Sequence, residues 1–540
     1  MPKILINEKD KTSPGTPGSY SNYAVLIAGF RGEATKPTVK ADSNGVYEFS
    51  SAQDFEDTIG LAAPQVPEEK TDGATVYHYG NQMAYELLNL GYSVIYRPIN
   101  SINELTDDKT WEIFRDKASY DFRFVTHGLL ESSSISEEPD YINLNDRLDA
   151  VKAAMDELLR IEDSFAPDED ETDLDLALAE FCNEEYAKVR DAFDGFLNLS
   201  SNTRYEEYSV AKASTRAEYD EKTAQKTLME GHNITEAKII EANGCIANLA
   251  QYVADKDTDE PTEKIPGRGD CIALIELDEK QYAGVSSNKP EDLIISAINR
   301  MSSITQNNGK YCAMTVPSVY YSMADDERFG NNKKFPGAFH YLACFIRSLG
   351  QGFAEWYAAA GYTRGVSSFT VDHTSVKLGE IAINALEPRY LIDDENTVQP
   401  SFSCNVIANF RGSYYLWGNR TAEPLGSKAG GNDLVASHFL NIRQLCTTIK
   451  KQLYVACRRF TFDPNSDTLW FNFVNAIKPT LEAMKADQGI RDYKIQKVYT
   501  DKKATLKAKI RIIPIEAVED FSLEVSLEDS FGETTAVVNE

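Results

Sequence analysis

Histidines are the side chains best suited to metal binding and to acid–base catalysis near neutral pH, and in this chain they are scattered. The six are His78, His127, His232, His340, His373 and His438. None has a second histidine or a cysteine at metal-ligand spacing, and the usual phosphate-binding, dinucleotide-binding and hydrolase motifs are absent. The sequence therefore predicts no enzyme, cofactor or metal site. A hydrolase assembled in space from His127, His340 and aspartates is the rival hypothesis.

Two short charged motifs suggest binding sites but do not fit them in detail. The acidic run at 168–175 could supply calcium ligands, but Asp173 stands where an EF-hand needs glycine, and Ala179 stands where it needs glutamate. The Arg-Gly-Asp triplet at 268–270 resembles an adhesion tripeptide, yet it leads directly into an apolar strand pattern. We therefore interpret the first motif as a solvated acidic face and the second as structural.

Basic residues are concentrated near the C-terminal end of an acidic chain. The formal charge is −29, whereas residues 440–512 hold 15 Lys or Arg against 6 Asp or Glu. Such an acidic chain is a poor general binder of nucleic acid or of anionic membranes. Five basic residues lie on the polar side of one predicted helix, namely Arg443, Lys450, Lys451, Arg458 and Arg459. They form either a solvated face or a docking surface for an acidic partner.

A short apolar strand pattern lies near each end of the chain. The first consists of Ile4, Leu5 and Ile6. The second alternates with polar residues and consists of Phe521, Leu523, Val525 and Leu527. These segments either join the chain's own sheet or are donated to neighbouring subunits, where backbone ladders give affinity. We predict an N-terminal arm at 1–22 and a C-terminal arm at 516–540.

The patterns between the arms predict a multidomain α+β fold with mixed sheets and flanking helices. Continuous apolar runs indicate buried strands at 23–30, 271–277 and 311–316, and an alternating run indicates a strand at 506–512. Helical spacing appears at 81–90, 338–353 and 435–459. We predict a middle α/β domain from 23–130 and 268–339, an inserted acidic helical peripheral domain at 131–267, and an inner domain at 340–515.

Cysteine usage and hydropathy indicate where the chain folds. The eight cysteines include no C-x-x-C pair, and several lie in apolar runs, which predicts buried, reduced thiols. No run approaches the length of a membrane-spanning helix, and the first residues lack the apolar core of a signal peptide. We expect folding in a cytoplasm.

Five segments, in this order, resemble the tail sheath proteins of contractile phages, and the resemblance covers most of the chain outside about 131–260. They are residues 27–34 (IAGFRGEA) with 51–60 (SAQDFEDTIG), 267–275 (GRGDCIALI), 356–365 (WYAAAGYTRG), 417–421 (WGNRT), and the C-terminal helix with 460–465 (FTFDPN), Trp470 and the closing strands.

The resemblance implies a structural subunit that forms helically stacked hexameric rings around an inner tube. It implies contraction from a metastable extended state, without nucleotide, that drives the tube through a host envelope. The C-terminal domain would face the tube, which makes the five basic residues tube-facing candidates, and the arms would complete sheets in neighbouring subunits. The implied partners are further copies, the inner tail tube protein, and baseplate and tail terminator proteins, with neither nucleic acid nor membrane insertion. The implied location is the virion tail, after assembly in the host bacterial cytoplasm. A pyocin-like contractile injection particle is the alternative.

Overall fold

The computed structural model describes most of the chain between the two predicted arms. The described residues are 23–32, 36–61, 79–129, 132, 139–164, 204–231, 233–251, 267–278, 281, 296–316, 319–320, 334–366, 404–410, 413–424, 435–499 and 506–517.

Strands and helices are interspersed along the described chain. The strands are β1 (Ala24–Phe30), β2 (Tyr47–Phe49), β3 (Ser93–Ile99), β4 (Phe124–Thr126), β5 (Ile272–Ile275), β6 (Cys312–Val316), β7 (Val319–Tyr320), β8 (Lys334–Phe335), β9 (Asn405–Phe410), β10 (Ser413–Trp417), β11 (Ile490–Val498) and β12 (Lys507–Pro514). The helices are α1 (Ala52–Thr58), α2 (Tyr79–Asn89), α3 (Ile102–Leu105), α4 (Asp108–Glu112), α5 (Pro139–Ser164), α6 (Arg204–Gly231), α7 (Glu236–Ala250), α8 (Ser302–Asn308), α9 (Gly337–Gly350), α10 (Gly361–Arg364), α11 (Leu440–Arg459) and α12 (Asp467–Ala486).

Eight strands form a central sheet in the order β10-β9-β6-β5-β4-β1-β3-β2. The six inner strands are parallel, and the edge strands β2 and β10 pair antiparallel with their neighbours. Every residue of β1 is buried. A parallel strand covered on both faces has no polar side to expose, which explains its unbroken apolar sequence. The prediction of mixed sheets with flanking helices is confirmed.

Helices cover both faces of the central sheet. One face packs against α7, where Ile239, Ile246 and Leu249 are buried, and the other packs against α2 and α9. Helix α7 comes from residues 131–267, and β9 and β10 come from residues 340–515. The sheet and its covering layers thus draw on three of the predicted domains, while the domain boundaries themselves stay a prediction.

The two long helices α5 and α6 pack against each other. Arg147 Nε lies 2.8 Å from Glu218 Oε1 across this contact. Leu148 and Val151, three residues apart on α5, are both buried. Within the described residues, no helix is both long and apolar enough to cross a membrane.

Seven of the eight cysteines lie in described residues, and all seven are unpaired. Five are buried, Cys446 is half-buried and Cys457 is exposed. Burial raises the pKa of Cys404 to about 12, which holds this thiol protonated. The prediction of reduced, mostly buried thiols is confirmed for these seven, and Cys182 lies outside the described residues.

Candidate assembly surface

The last part of the described chain forms a small unit with its own core. We call residues 440–514, which comprise α11, α12, β11 and β12, the C-terminal unit. Residues four apart on α12 are buried in that core, namely Leu469, Phe473, Ile477 and Leu481. The Ser466 hydroxyl accepts a hydrogen bond from the Leu469 N–H at 3.3 Å and caps the first turn. Phe471, on the other side of α12, is 64% exposed.

Strands β11 and β12 form an antiparallel hairpin that lies on the helices of the C-terminal unit. Tyr493 pairs with Ile512, and Ile495 pairs with Ile510. These side chains pack against the core of the unit. Because side chains alternate along a strand, the residues between them face outward. The sequence analysis predicted β12 but missed β11, whose alternating Tyr493 and Ile495 were the available signal.

The outward face of the hairpin is basic. Lys494 lies directly opposite Arg511, Gln496 opposite Lys509 and Val498 opposite Lys507. We call the four cationic residues the basic column, and all four are exposed: Lys494, Lys507, Lys509 and Arg511. Like charges directly opposite each other destabilise a strand pair. A strand with acidic residues on the same face would relieve this repulsion if it lay alongside.

The hairpin is a two-stranded sheet, so each strand has one edge without a partner strand in the described part of the chain. Two strands alone bury little surface, and an open edge offers backbone donors and acceptors to a further strand. The arm residues predicted to link subunits lie outside the described residues, namely Ile4, Leu5, Ile6, Phe521, Leu523, Val525 and Leu527.

Three of the five tube-facing candidates on α11 contact their own chain. Lys450 Nζ donates a hydrogen bond to the Gly269 carbonyl at 2.8 Å. Lys451 forms an ion pair with Asp121. Arg443 lies over the Tyr311 ring, with Cζ 4.7 Å from the ring centroid. Burial, and then the charge of Arg443, lower the pKa of Lys450 to about 8.

The other two candidates, Arg458 and Arg459, are exposed in the last turn of α11. The Arg458 guanidinium lies 5.7 Å from the Tyr454 ring centroid. About 24 Å of helix separates Arg459 from Arg443, since each residue adds about 1.5 Å. The five residues therefore form two separate groups, and their tube-facing role stays a prediction.

A buried cluster around the Arg123–Glu355 ion pair connects the central sheet to α11 of the C-terminal unit. Arg123 Nη2, one residue before β4, lies 3.1 Å from Glu355 Oε2, which follows α9, and both side chains are at least nine-tenths buried. Arg123 Nη1 donates to Gln444 Oε1 at 2.8 Å, and Nη2 donates to Thr448 Oγ1 at 2.7 Å, both on α11. The Tyr23 hydroxyl donates to Glu355 Oε1 at 2.8 Å. Sequence reasoning missed this cluster, whose one signal was a lone arginine between Phe122 and Phe124.

The Arg-Gly-Asp triplet is part of the core. Arg268 is 1% exposed and Asp270 is 3% exposed. Arg268 Nε donates to Asp270 Oδ1 at 2.9 Å, and Nη1 donates to the carbonyl oxygens of Phe114 and Tyr120. The interpretation of this triplet as structural is confirmed.

The two histidines of the rival hydrolase hypothesis are buried. His127 Nδ1 accepts a hydrogen bond from the Leu129 N–H, and Nε2 lies 2.9 Å from Asn243 Oδ1. Burial lowers the pKa of His127 to about 4 and that of His340 to about 3. Both rings are therefore neutral at pH 7. Within the described residues, no group of three or more His, Cys, Asp or Glu side chains could hold a metal ion.

Comparison with known proteins gives likenesses in shape. No family model and no curated protein matches the chain. One similar solved chain belongs to the baseplate of the anti-feeding prophage, with 12% identity, a TM-score of 0.47, and 98% of this chain and 99% of that chain covered. Another belongs to the contracted sheath complex of PVC, an extracellular contractile injection system, with 12% identity, a TM-score of 0.41, and 98% of each chain covered.

Proposed function

We propose that this chain is the structural subunit of a contractile tail sheath. Copies polymerise as helically stacked hexameric rings around an inner tube, and the polymer contracts from a metastable extended state to drive the tube through a host envelope. The ordered sequence segments that resemble sheath proteins support this function. So does a C-terminal unit whose hairpin has an exposed basic face and, within the described residues, one edge of each strand without a partner strand.

The observation that carries the proposal is the match between this hairpin and the last strand pattern of the sequence. The hairpin has an apolar inner face and a basic outer face. Between 521 and 528, apolar residues alternate with Ser522, Glu524, Ser526 and Glu528. A strand of this pattern added to the hairpin edge would extend the apolar face over α12 and place both glutamates beside the basic column.

The distribution of charge favours one edge of the hairpin. Strand β12 carries Lys507, Lys509 and Arg511, whereas β11 contributes Lys494 alone to the basic column. Residues 518–540 hold seven Asp or Glu and no Lys or Arg. The acidic strand therefore adds beside β12. In the proposed polymer the donor is a neighbouring copy, so each subunit is linked to the next by backbone hydrogen bonds and by complementary charge.

Charge reversal on one side or the other of this contact tests the proposal. A hairpin variant carries Lys507→Glu, Lys509→Glu and Arg511→Glu, and a tail variant carries Glu524→Lys and Glu528→Lys. Each variant alone places like charges side by side, so each should stay a folded monomer. An equimolar mixture should polymerise, because unreversed tails meet unreversed hairpins and reversed tails meet reversed hairpins. Sedimentation and negative-stain electron microscopy measure the outcome.

A matched control carries the same change in net charge elsewhere on exposed residues, as Lys40→Glu, Lys109→Glu and Lys152→Glu. It should polymerise like the unmodified chain. Polymers formed by the hairpin variant alone would contradict the role of the basic column. The strand would instead lie within its own subunit if the two variants stay monomeric when mixed and each is less stable than the unmodified chain. In that case, one chain carrying all five substitutions should regain the free energy of unfolding of the unmodified chain.

A further inference from the structure

Two aromatic side chains are exposed at the same end of the C-terminal unit. Phe462 is 94% exposed in the turn between α11 and α12, and Tyr499 is 89% exposed directly after β11. Lys497 Nζ lies 2.8 Å from Asp467 Oδ1, which holds the end of β11 beside the first residue of α12. We call Phe462 and Tyr499 the aromatic pair. It lies at the end of the hairpin where Lys507 begins β12.

The backbone holds Phe462 in an unfavourable conformation. Its φ is +77°, in the left-handed region that residues other than glycine rarely adopt. Within the described residues, Gln488 is the only other non-glycine residue with a positive φ. Such strain is concentrated at functional sites, where the surrounding structure maintains it. A strained turn that exposes an aromatic ring does not stabilise the isolated subunit, so we expect a partner to cover this ring.

The proposed donor strand determines which segment reaches this end of the hairpin. Residues 521–528 and β12 are both eight residues long. An antiparallel register that pairs Glu528 with Lys507 uses all of β12 and places both donor glutamates opposite cations. A parallel register with two such pairs would leave the first three donor residues beyond the start of β12. The antiparallel register therefore directs the chain after Glu528 towards the aromatic pair.

The distance from the donor strand to the aromatic pair fits the position of the next aromatic residue. Phe531 follows Glu528 by three residues, which span about 10 Å in extended chain. The added strand and β11 are also about 10 Å apart, because β12 lies between them and neighbouring strands are about 4.8 Å apart. Tyr499 continues β11, so the Phe531 ring can reach it.

We infer that residues 529–533 of the donor copy dock on the aromatic pair, with the Phe531 ring packed against Phe462 and Tyr499. This segment lies outside the described residues. Aromatic rings in edge-to-face or offset contact stabilise an interface beyond the area that they bury. The segment holds two acidic and no basic residues, which suits the basic column beside it. The inference rests on the proposed function for the added strand and concerns only the residues that follow this strand.

The rival occupant of the aromatic pair is the inner tube. Arg458 and Arg459, the two exposed tube-facing candidates, lie at the end of α11 just before Phe462. A tube that bound these arginines could also cover the Phe462 ring. The test must therefore identify which partner contacts the ring.

Photo-cross-linking from the arm tests the inference. Phe531 is replaced by p-benzoylphenylalanine in ¹⁵N-labelled copies, which are assembled with unlabelled copies, irradiated and digested for mass spectrometry. We expect cross-links from position 531 to peptides of an unlabelled copy that contain Phe462 or Tyr499. The control places the same probe at Phe521, which the antiparallel register puts at the opposite end of β12, beside Pro514.

Alanine substitutions measure how much the contact contributes to assembly. Phe531→Ala and Phe462→Ala should each raise the protein concentration at half-maximal assembly about tenfold, because each removes one ring of the same contact. The double variant should raise it little more than either single variant, since the two effects share one contact. Ile142→Ala, which truncates an apolar side chain 45% exposed on α5, should leave this concentration unchanged.

The outcomes separate this contact from the proposed function. Cross-links from Phe521 to the Pro514 end of β12, without any from position 531 to the aromatic pair, would overturn the inference and leave the added strand intact. Cross-links from Phe521 to the Lys507 end would establish the parallel register and would also overturn it. A Phe462→Ala variant that assembles normally but no longer co-sediments with the tube protein would assign the ring to the tube instead. Copies in which neither probe reaches β12 or the aromatic pair would contradict both proposals.

Discussion

The central sheet and the hairpin of the C-terminal unit differ in how far their faces and edges are covered. In the sheet, inner strands such as β1 are buried on both faces and paired on both edges. In the hairpin, one face packs on helices, the other face is exposed and basic, and each strand has an edge without a described partner. The comparison suggests that the sheet supplies the stability of the monomer, whereas the hairpin is the surface that a further strand completes.

The largest expected effect comes from the Arg123–Glu355 ion pair, which lies between the central sheet and α11 and hydrogen-bonds to Gln444 and Thr448. Glu355→Ala would leave Arg123 buried without its carboxylate, and we expect a loss of about 3–5 kcal/mol in the free energy of unfolding. Urea titration followed by tryptophan fluorescence measures this loss. The double variant Arg123→Met and Glu355→Leu removes both charges and should recover much of the loss. A Glu355→Ala variant as stable as the unmodified chain would separate the C-terminal unit energetically from the sheet.

A pair of core truncations compares the two regions directly. Ile27→Ala, in a fully buried strand, should cost about 2–5 kcal/mol because it leaves a cavity that the layers cannot close. Ile510→Ala, in the half-buried hairpin face, should cost about 1 kcal/mol. Both substitutions are made in the tail variant, which is expected to stay monomeric, so that thermal unfolding measures the two costs without a contribution from assembly. Equal costs at the two sites would contradict the division into a stable sheet and a weakly held hairpin.

Part of the dependence of stability on pH should come from His127, a buried residue that follows strand β4 of the central sheet. His127 has its pKa lowered from 6.5 to about 4 by burial. Between these values the unfolded chain binds a proton that the folded chain excludes, so the free energy of unfolding falls as the pH falls through this window. The slope reaches about 1.4 kcal/mol per pH unit. Substituting His127→Gln should flatten the curve of unfolding free energy against pH between pH 6.5 and 4. An unchanged slope of this curve would assign the pH dependence to other groups.

The smallest effect on the monomer is expected at the exposed end of α11. Arg458→Gln with Arg459→Gln should change the free energy of unfolding by less than about 0.5 kcal/mol. The same double substitution should weaken assembly on an acidic tube, because these two residues are exposed whereas Lys450 and Lys451 contact their own chain. Co-sedimentation with the tube protein measures the second effect, and unchanged assembly would leave this end of the helix as a solvated face.

Sequence patterns predicted elements correctly where the apolar residues followed one clear pattern. The unbroken apolar run of β1 and the helical spacing of α2 and α11 predicted those elements to within a few residues, with the structure beginning α11 at Leu440. Helix α12 and strand β11 were missed. Pro479 inside α12 argues against a helix in sequence, and the polar residues of β11 hide its alternation. The packing of Lys450 and Lys451 against Gly269 and Asp121 depends on contacts between distant segments, which local patterns do not encode.

The most direct test of the assembly role is electron microscopy of two chains, the full-length protein and a chain that ends at Ala517. The shorter chain keeps every residue that the structure describes and lacks the acidic strand pattern. We predict long tubes of stacked rings for the full-length protein and folded monomers for the shorter one. Tubes formed equally well by both chains, or a full-length protein that stays a small oligomer, would contradict the account.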